Sequence, residues 1–353
     1  MPSKSKITAP GAAAKPQAGR TPPRHTSERT AATRAAPAPL PSAIGAPFPK
    51  PSDLADRVGT GMAAFENIIV PTAAQRTAMR QMDSLRIMGL HQPEGQQRRA
   101  YRYLHQSGTG KSTCAKILRN HVEAQDGRDP TKKPVLHVTL STTGTPKSLA
   151  SSILDALGDN YSTRGEAELL LRRVRMALKE LSVEILIIDE LNHFRLKSLQ
   201  KDAANTIKNI LSMGWVPVVL MGTTDAQSLF VDNRELKNRC APQMVLAPYD
   251  YRDVEGDLAA WTELLGDLDT QMADRDILRC RSGLDDEELA IALCRASNGV
   301  IGELHNILLA ALEQVLLADE PSISHRRLAE AVDAWCMQDG TIDRNYVKLI
   351  PRK

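Results

Sequence analysis

Ser107-Gly108-Thr109-Gly110-Lys111-Ser112-Thr113 carries the strongest chemical signal in the chain. Glycines at this spacing let successive backbone N–H groups converge on one anion. The helix-period residues that follow, Lys116, Ile117 and Leu118, add the positive end of a helix. The pattern predicts a phosphate-binding loop in which Lys111 reaches the β- and γ-phosphates of a nucleotide and the Ser112 hydroxyl ligates Mg²⁺. One position departs from G-x-x-x-x-G-K-[ST], because the first glycine is His105. The chain turns out of a strand there, so His105 is expected to cost backbone freedom while removing no phosphate contact.

Farther along, Ile185-Leu186-Ile187-Ile188-Asp189-Glu190 is an apolar strand ending in two acids. Asp189 at the strand end can hold Mg²⁺ through water, and Glu190 can orient and polarise a water for in-line attack on phosphorus. The alternative is an acidic turn after a buried strand. Met221-Gly222-Thr223-Thr224-Asp225 ends a third strand, where the Thr223 hydroxyl is placed to sense a γ-phosphate. A helix cap by Thr224 or Asp225 is the competing role. In Arg234-Glu235-Leu236-Lys237-Asn238-Arg239 an arginine beyond the sensing strand is placed to enter a neighbour's site, or else to form surface salt bridges. Asn192-His193 behind the acidic pair could help position water or a partner, with a structural role the favoured reading. The eight histidines show no metal spacing, and the aromatics are few and dispersed, which argues against a stacking platform for single strands. Any nucleic-acid contact is then with phosphates and sensitive to salt.

These groups need a sheet to hold them. Tyr101–Leu104 (YRYL), Val135–Leu140 (VLHVTL), Glu184–Ile188 (EILII) and Val216–Met221 (VPVVLM) read as strands, the last three without a polar face, as expected under two layers of helix. YRYL is less apolar than a buried central strand should be. Between them, Ala73–Arg86 reads as a helix. Thr163–Leu181 reads as another, opened by a Thr163–Glu166 capping box. Leu199, Ala203, Ile207, Ile210 and Leu211 mark a third, ended by Gly214. After about residue 250 the strands stop, and 253–266, 285–297, 300–318 and 324–337 read as helices. The expectation is an α/β fold with a parallel central sheet flanked by helices, followed by a small all-α lid. Order should begin near Phe65, with a nucleotide-binding domain at 51–250, the lid at 251–338 and a loose tail at 339–353.

Charge divides the chain differently. Residues 1–50 hold eight Lys/Arg and one acid, a balance of +7, so an overall +3 leaves the other 303 residues at −4. Ten of the 21 prolines lie in the same stretch, which has almost no large apolar side chains. Such a segment buries too little surface to offset its ordering entropy, so disorder is expected. It is either a basic arm touching nucleic acid or a solvated, dispensable extension; its prolines argue against an amphipathic transit peptide. No apolar run reaches the roughly 18 residues of a membrane span, and no signal-peptide core is visible. Five scattered cysteines, never in C-x-x-C, read as reduced and mostly buried thiols of a cytoplasmic protein.

Together the loop SGTGKST, the strand ILIIDE, the strand end GTTDA, ELKNRCAP and the lid phrase SNGVIGELHNIL resemble an AAA+ ATPase. IIDELNHF and NGVIGELHNIL narrow the resemblance to the TniB/TnsC branch, ATP-dependent regulators of bacterial DNA transposition. It spans roughly residues 65–337. By position it implies nucleotide contacts from Ser107, Gly108, Thr109, Gly110, Lys111, Ser112 and Thr113, and Mg²⁺ between Ser112 and Asp189. It also implies an Asp189–Glu190 Walker B pair, Thr223 as sensor 1 and Arg239 as the arginine acting in trans. The usual sensor 2 arginine falls at Gly302, which implies slow ATP turnover.

The resemblance further implies a homo-oligomeric ring or filament around double-stranded DNA. Phosphate contacts would come from Thr142–Lys147 and Tyr161–Arg164, with Lys147, Thr163 and Arg164 the chosen residues. A helix start with a solvated lysine is the bland alternative for Lys147. The implied partners are a DDE-type transposase and a target-selection protein of the TniQ type, with no membrane. Two alternatives stand beside this reading: a DnaC/IstB-like loader, and a nucleotide-gated scaffold with little productive hydrolysis.

Overall fold

The computed structural model describes residues 53–141, 145–194 and 197–350, with backbone alone for 53 and 197–200. The basic segment 1–50, and Thr142, Thr143 and Gly144 of the expected DNA-contacting stretch, lie outside these residues.

Two helices precede the sheet: α1 (Asp53–Glu66) and α2 (Ala73–His91). Regular structure therefore begins ahead of Phe65. Helix α2 starts on a reciprocal capping box between Thr72 and Gln75 and runs a turn beyond the expected Arg86. Four strands follow: β1 (Ala100–Leu104), β2 (Val135–Thr139), β3 (Ile185–Asp189) and β4 (Val218–Gly222). They pair in the order β1-β4-β3-β2, all parallel, as α/β crossovers require.

Alternation along the strands supplies two faces, both covered. Leu104, Leu186, Ile188, Val218 and Leu220 join one apolar cluster. Tyr103, Ile185, Ile187, Val219 and Met221 join another beneath α2 and α3 (Lys111–Glu123). The mixed composition of YRYL is explained by place: β1 is an outer strand of the sheet, and the buried Arg102 guanidinium lies 5.0 Å from the Phe230 ring centroid. Residues 240–244 run along its free edge, where Met244 N–H donates to Arg102 O at 2.9 Å.

The connections form α4 (Pro146–Leu157), α5 (Ala167–Glu180), α6 (Lys197–Ser212), α7 (Gln227–Val231) and α8 (Arg234–Arg239). Thr145 and Ser148 cap α4 reciprocally, with Pro146 at its first position. The expected Thr163–Glu166 box is corrected. Thr163 lies in a turn, Gly165 takes φ +118°, and α5 starts at Ala167 with no side-chain cap. Arg173 holds that turn instead, donating to the carbonyls of Tyr161 and Arg164 and pairing with Asp159.

Beyond β4 the described chain is helical, with a π turn at Val254–Leu258 leading into α9 (Ala259–Asp274). There follow α10 (Glu287–Ala296), α11 (Ile301–Ala318) and α12 (His325–Val332), the last continued by a π turn. These helices share one apolar cluster with Val58 and Phe65 of α1, so α1 packs with the C-terminal helices. Two expectations change here. Helix α11, at 18 residues and mean hydropathy 1.3, does reach the length and apolarity of a membrane span; in this fold Leu304, Ile307, Leu308, Ala311 and Leu312 sit in the core. The stretch after Asp339 is not loose as far as it is described. Val347 is fully buried, and Asn345 Nδ2 donates to Ala329 O at 2.8 Å and to Asp333 Oδ1 at 2.9 Å.

Candidate nucleotide-binding site

In a parallel sheet the carboxyl ends of all strands point to one rim, where ligands gather at the crevice. Here Leu104, Asp189 and Gly222 end adjacent strands on that rim. The 105–110 loop leaves β1 and returns as α3, so the N–H groups of that helix face the crevice. Gly108 and Gly110 take φ +78° and +84°, the left-handed region where a side chain is strained. A Cβ on Gly110 would also have to displace the Gln75 side chain, whose Nε2 it would meet at 2.1 Å. His105 is not among the described positive-φ residues, so that position requires no glycine. Its ring has a use instead: His105 Nε2 lies 3.0 Å from Met244 O, tying the loop base to the segment along the sheet edge.

Lys111 lies within the loop, its Nζ donating to His105 O at 2.9 Å and Gln106 O at 2.7 Å. Burial pulls its pKa down, although Asp189 and Glu190 favour the charge. Thr109 is buried in the loop and bonded to Gln106 O; Ser107 is exposed; and Thr113 faces the cleft. Ser112 Oγ donates to Asp189 Oδ2 at 2.6 Å. These two oxygens, one hydroxyl and one carboxylate, form a hard donor set that suits Mg²⁺ shared with phosphate oxygens. Burial raises the Asp189 carboxyl pKa, but hydrogen bonds from His137 and Ser112 outweigh it and leave the group below the usual carboxylate range.

Glu190 occupies the left-handed region at φ 62°, uncommon for a residue with a Cβ, and its N–H donates to Asp189 Oδ1 at 2.8 Å. Thr223 caps nothing: its Oγ1 is buried without a hydrogen-bond partner, and the short helices at 224–226 and 227–231 have no side-chain cap. A buried hydroxyl left unpaired at the rim is what a phosphate sensor requires.

One cleft of about 450 Å³ gathers Ser107, Gly108, Gly110, Lys111, Ser112, Thr113, Asp189 and Glu190. Its apolar wall is Phe65, Ile68, Ile69 and Val70 facing Leu264, Leu268 and Leu304, with Phe65 stacked on His305 at 4.9 Å. The lid closes directly on the loop. Gly302 N–H donates to Gly108 O at 2.8 Å, and a Cβ at 302 would meet Gly108 Cα at 2.8 Å. A larger groove of about 960 Å³, lined by residues such as Asp286, His325 and Glu330, has no residue in common with the cleft. Chemistry, not size, selects the smaller one.

Other predicted residues stay outside this cleft. Arg239 ends α8, donating to Ser212 Oγ at 3.0 Å and Glu235 O at 2.7 Å. Lys147 is exposed in the first turn of α4, Thr163 is exposed in its turn, and exposed Arg164 lies 4.7 Å over the Tyr161 ring. Three partners of the site went unread in the sequence: Gln75, His137 and His305. His137 had a signal, being the polar residue of an apolar strand; the other two depend on helices brought in from distant sequence.

Residues 69–249, slightly more than half of the chain, match the family described as "Bacterial TniB protein". No curated protein has a matching sequence. Among solved structures, Aeropyrum pernix ORC2 in its ADP form is 16% identical with a TM-score of 0.56, covering 77% of this chain and 72% of that one. Cdc6p from Pyrobaculum aerophilum is 14% identical at TM-score 0.55, covering 77% and 70%. Aeropyrum pernix ORC1 in complex with DNA is 16% identical at 0.52, covering 76% and 68%. At these identities the likeness is one of fold: the AAA+ P-loop architecture with C-terminal helices.

Proposed function

The chain belongs to the bacterial TniB family, and we propose that it is an ATP-dependent DNA-binding regulator of transposition. In this reading it assembles on duplex DNA with ATP bound and recruits or activates a transposase at the target site, together with a target-selection protein of the TniQ type. The observation that carries the nucleotide chemistry is the 2.6 Å contact between Ser112 and Asp189 in a cleft shared with Lys111 and Glu190. A Mg²⁺ held there would neutralise charge on the β- and γ-phosphates. Lys111 exchanges two carbonyl partners for phosphate oxygens, and the loop N–H groups hold the phosphates in place. Glu190 orients the attacking water, and the unpaired Thr223 hydroxyl registers the γ-phosphate. Arg239, outside its own cleft, enters that of a neighbouring copy. The division into a nucleotide-binding domain at 51–250 and a lid at 251–338 belongs to this proposal, as does a cytoplasmic, DNA-associated setting.

One observation favours slow turnover and so the nucleotide-gated scaffold as second reading: Gly302 brings no cation to the phosphates. Both readings are separated by one variant. Glu190→Gln keeps the size of the side chain and removes the charge that polarises water. Electron microscopy with ATP and duplex DNA should show persistent rings or filaments of this variant, while the unmodified chain disassembles as ATP is consumed. Equal lifetimes with equal phosphate release would support the scaffold; monomers under saturating ATP would overturn both.

A further inference from the structure

Asn192 sits two residues beyond Glu190, in the turn Leu191–His193 that follows β3. Its amide faces two partners, each just beyond the end of a different strand. Nδ2 donates to Glu190 Oε2 at 3.0 Å, and Oδ1 accepts from the Thr223 backbone N–H at 3.2 Å. The orientation of this amide is determined by chemistry. A backbone N–H can only donate, so the amide oxygen must face Thr223, which leaves the NH₂ for the carboxylate. The strand end at Gly222 comes close enough for the bridge: a Cβ there would meet Leu191 Cβ at 3.1 Å and Asn192 Oδ1 at 3.4 Å. His193 is no substitute. Its Nδ1 is engaged 2.9 Å from Leu140 O, and its Nε2 is 3.8 Å from Glu190 Oε2, beyond hydrogen-bond reach.

We infer that Asn192 is a positioning residue for hydrolysis, which fixes the Glu190 carboxylate against the end of the sensing strand. With Oε2 held, Oε1 is turned to the attacking water, in the way a general base is oriented by a third group. The same amide joins Glu190 to Thr223, so the residue that registers the γ-phosphate and the one that polarises water move together. The inference rests on the ATPase reading above.

Asn192→Ala removes the bridge; Asn192→Asp keeps the size and the acceptor toward Thr223 but sets a carboxylate against Glu190. Both should lower kcat about tenfold or more, as misplacement of a catalytic group does, with the ATP Kd changed less than about twofold and an unaltered melting temperature. Wild-type kcat in both variants overturns the inference, as does a fall in kcat matched by an equal loss of ATP affinity or by unfolding. Failure of the ATPase reading is distinguishable, because then the wild-type chain itself releases no phosphate with duplex DNA present. In that event the bridge is read by binding alone: Asn192→Ala should narrow the preference for a non-hydrolysable ATP analogue over ADP about threefold or more, and an unchanged preference overturns it.

Discussion

At the residue scale the site is built by placing charges where water is scarce. A buried ammonium such as Lys111 is costly unless it is bonded, and the two loop carbonyls keep it bonded; in the proposed function, phosphate would take their place. The thiols offer an independent check on the same burial. Cys114 and Cys294 are pushed up to about 12 by burial, and Cys240 and Cys336 to about 11, while Cys280 is exposed. A thiol reagent at pH 8 should therefore modify Cys280 quickly, half-buried Cys240 slowly, and Cys114, Cys294 and Cys336 only on unfolding, because the thiolate is the nucleophile. Two or more fast thiols in the native protein would mean that a buried cluster is open. The residues that share the cleft were legible, since Gly, Lys, Ser, Asp and Glu at fixed spacing have few other reasons to occur together. For Asn192 the sequence offers both a structural and a water-positioning role, and no local pattern announces its contact with Thr223 that favours the second.

At the element scale, strands showed through the sequence as runs of β-branched and aliphatic residues, and each observed strand lies within two residues of the expected one. The capping box at Thr163 failed because Ser/Thr-x-x-Glu patterns also occur in turns, and Arg173 and Gly165 stabilise the turn here. The C-terminal stretch looked loose because its anchors, Asn345 and Val347, pack on α12 and gain burial only in three dimensions. The lid is where an element decides binding. Helix α11 meets the phosphate loop glycine to glycine, with no room for a Cβ on either side. Gly302→Ala should push the lid off the loop at a cost of about 1–3 kcal/mol, seen as roughly a tenfold weaker ATP Kd by calorimetric titration with little change in melting temperature. Wild-type affinity would show that nucleotide binding does not need the lid closed.

At the scale of the whole molecule, the +3 total is the sum of a +7 segment and a −4 remainder. The described chain from 53 to 350 carries its own apolar clusters on both faces of the sheet and among the C-terminal helices. Nucleotide binding and assembly should therefore survive deletion of residues 1–50. Binding to DNA need not be unaffected, since each basic group that neutralises a phosphate steepens the dependence on salt by about 0.9. If the segment touches DNA, its deletion flattens the slope of log K against log salt by several units; if it is a solvated extension, the slope stays. Lys147→Ala provides the calibration. The residue is exposed at the start of α4. As an inner-face phosphate contact it should lower the slope by about one and weaken binding equally for all sequences. An unaltered slope would remove Lys147 from the DNA face. Loss of ATP-dependent assembly on deleting 1–50 would overturn the division of labour itself, because the acidic body could then no longer assemble without its basic segment.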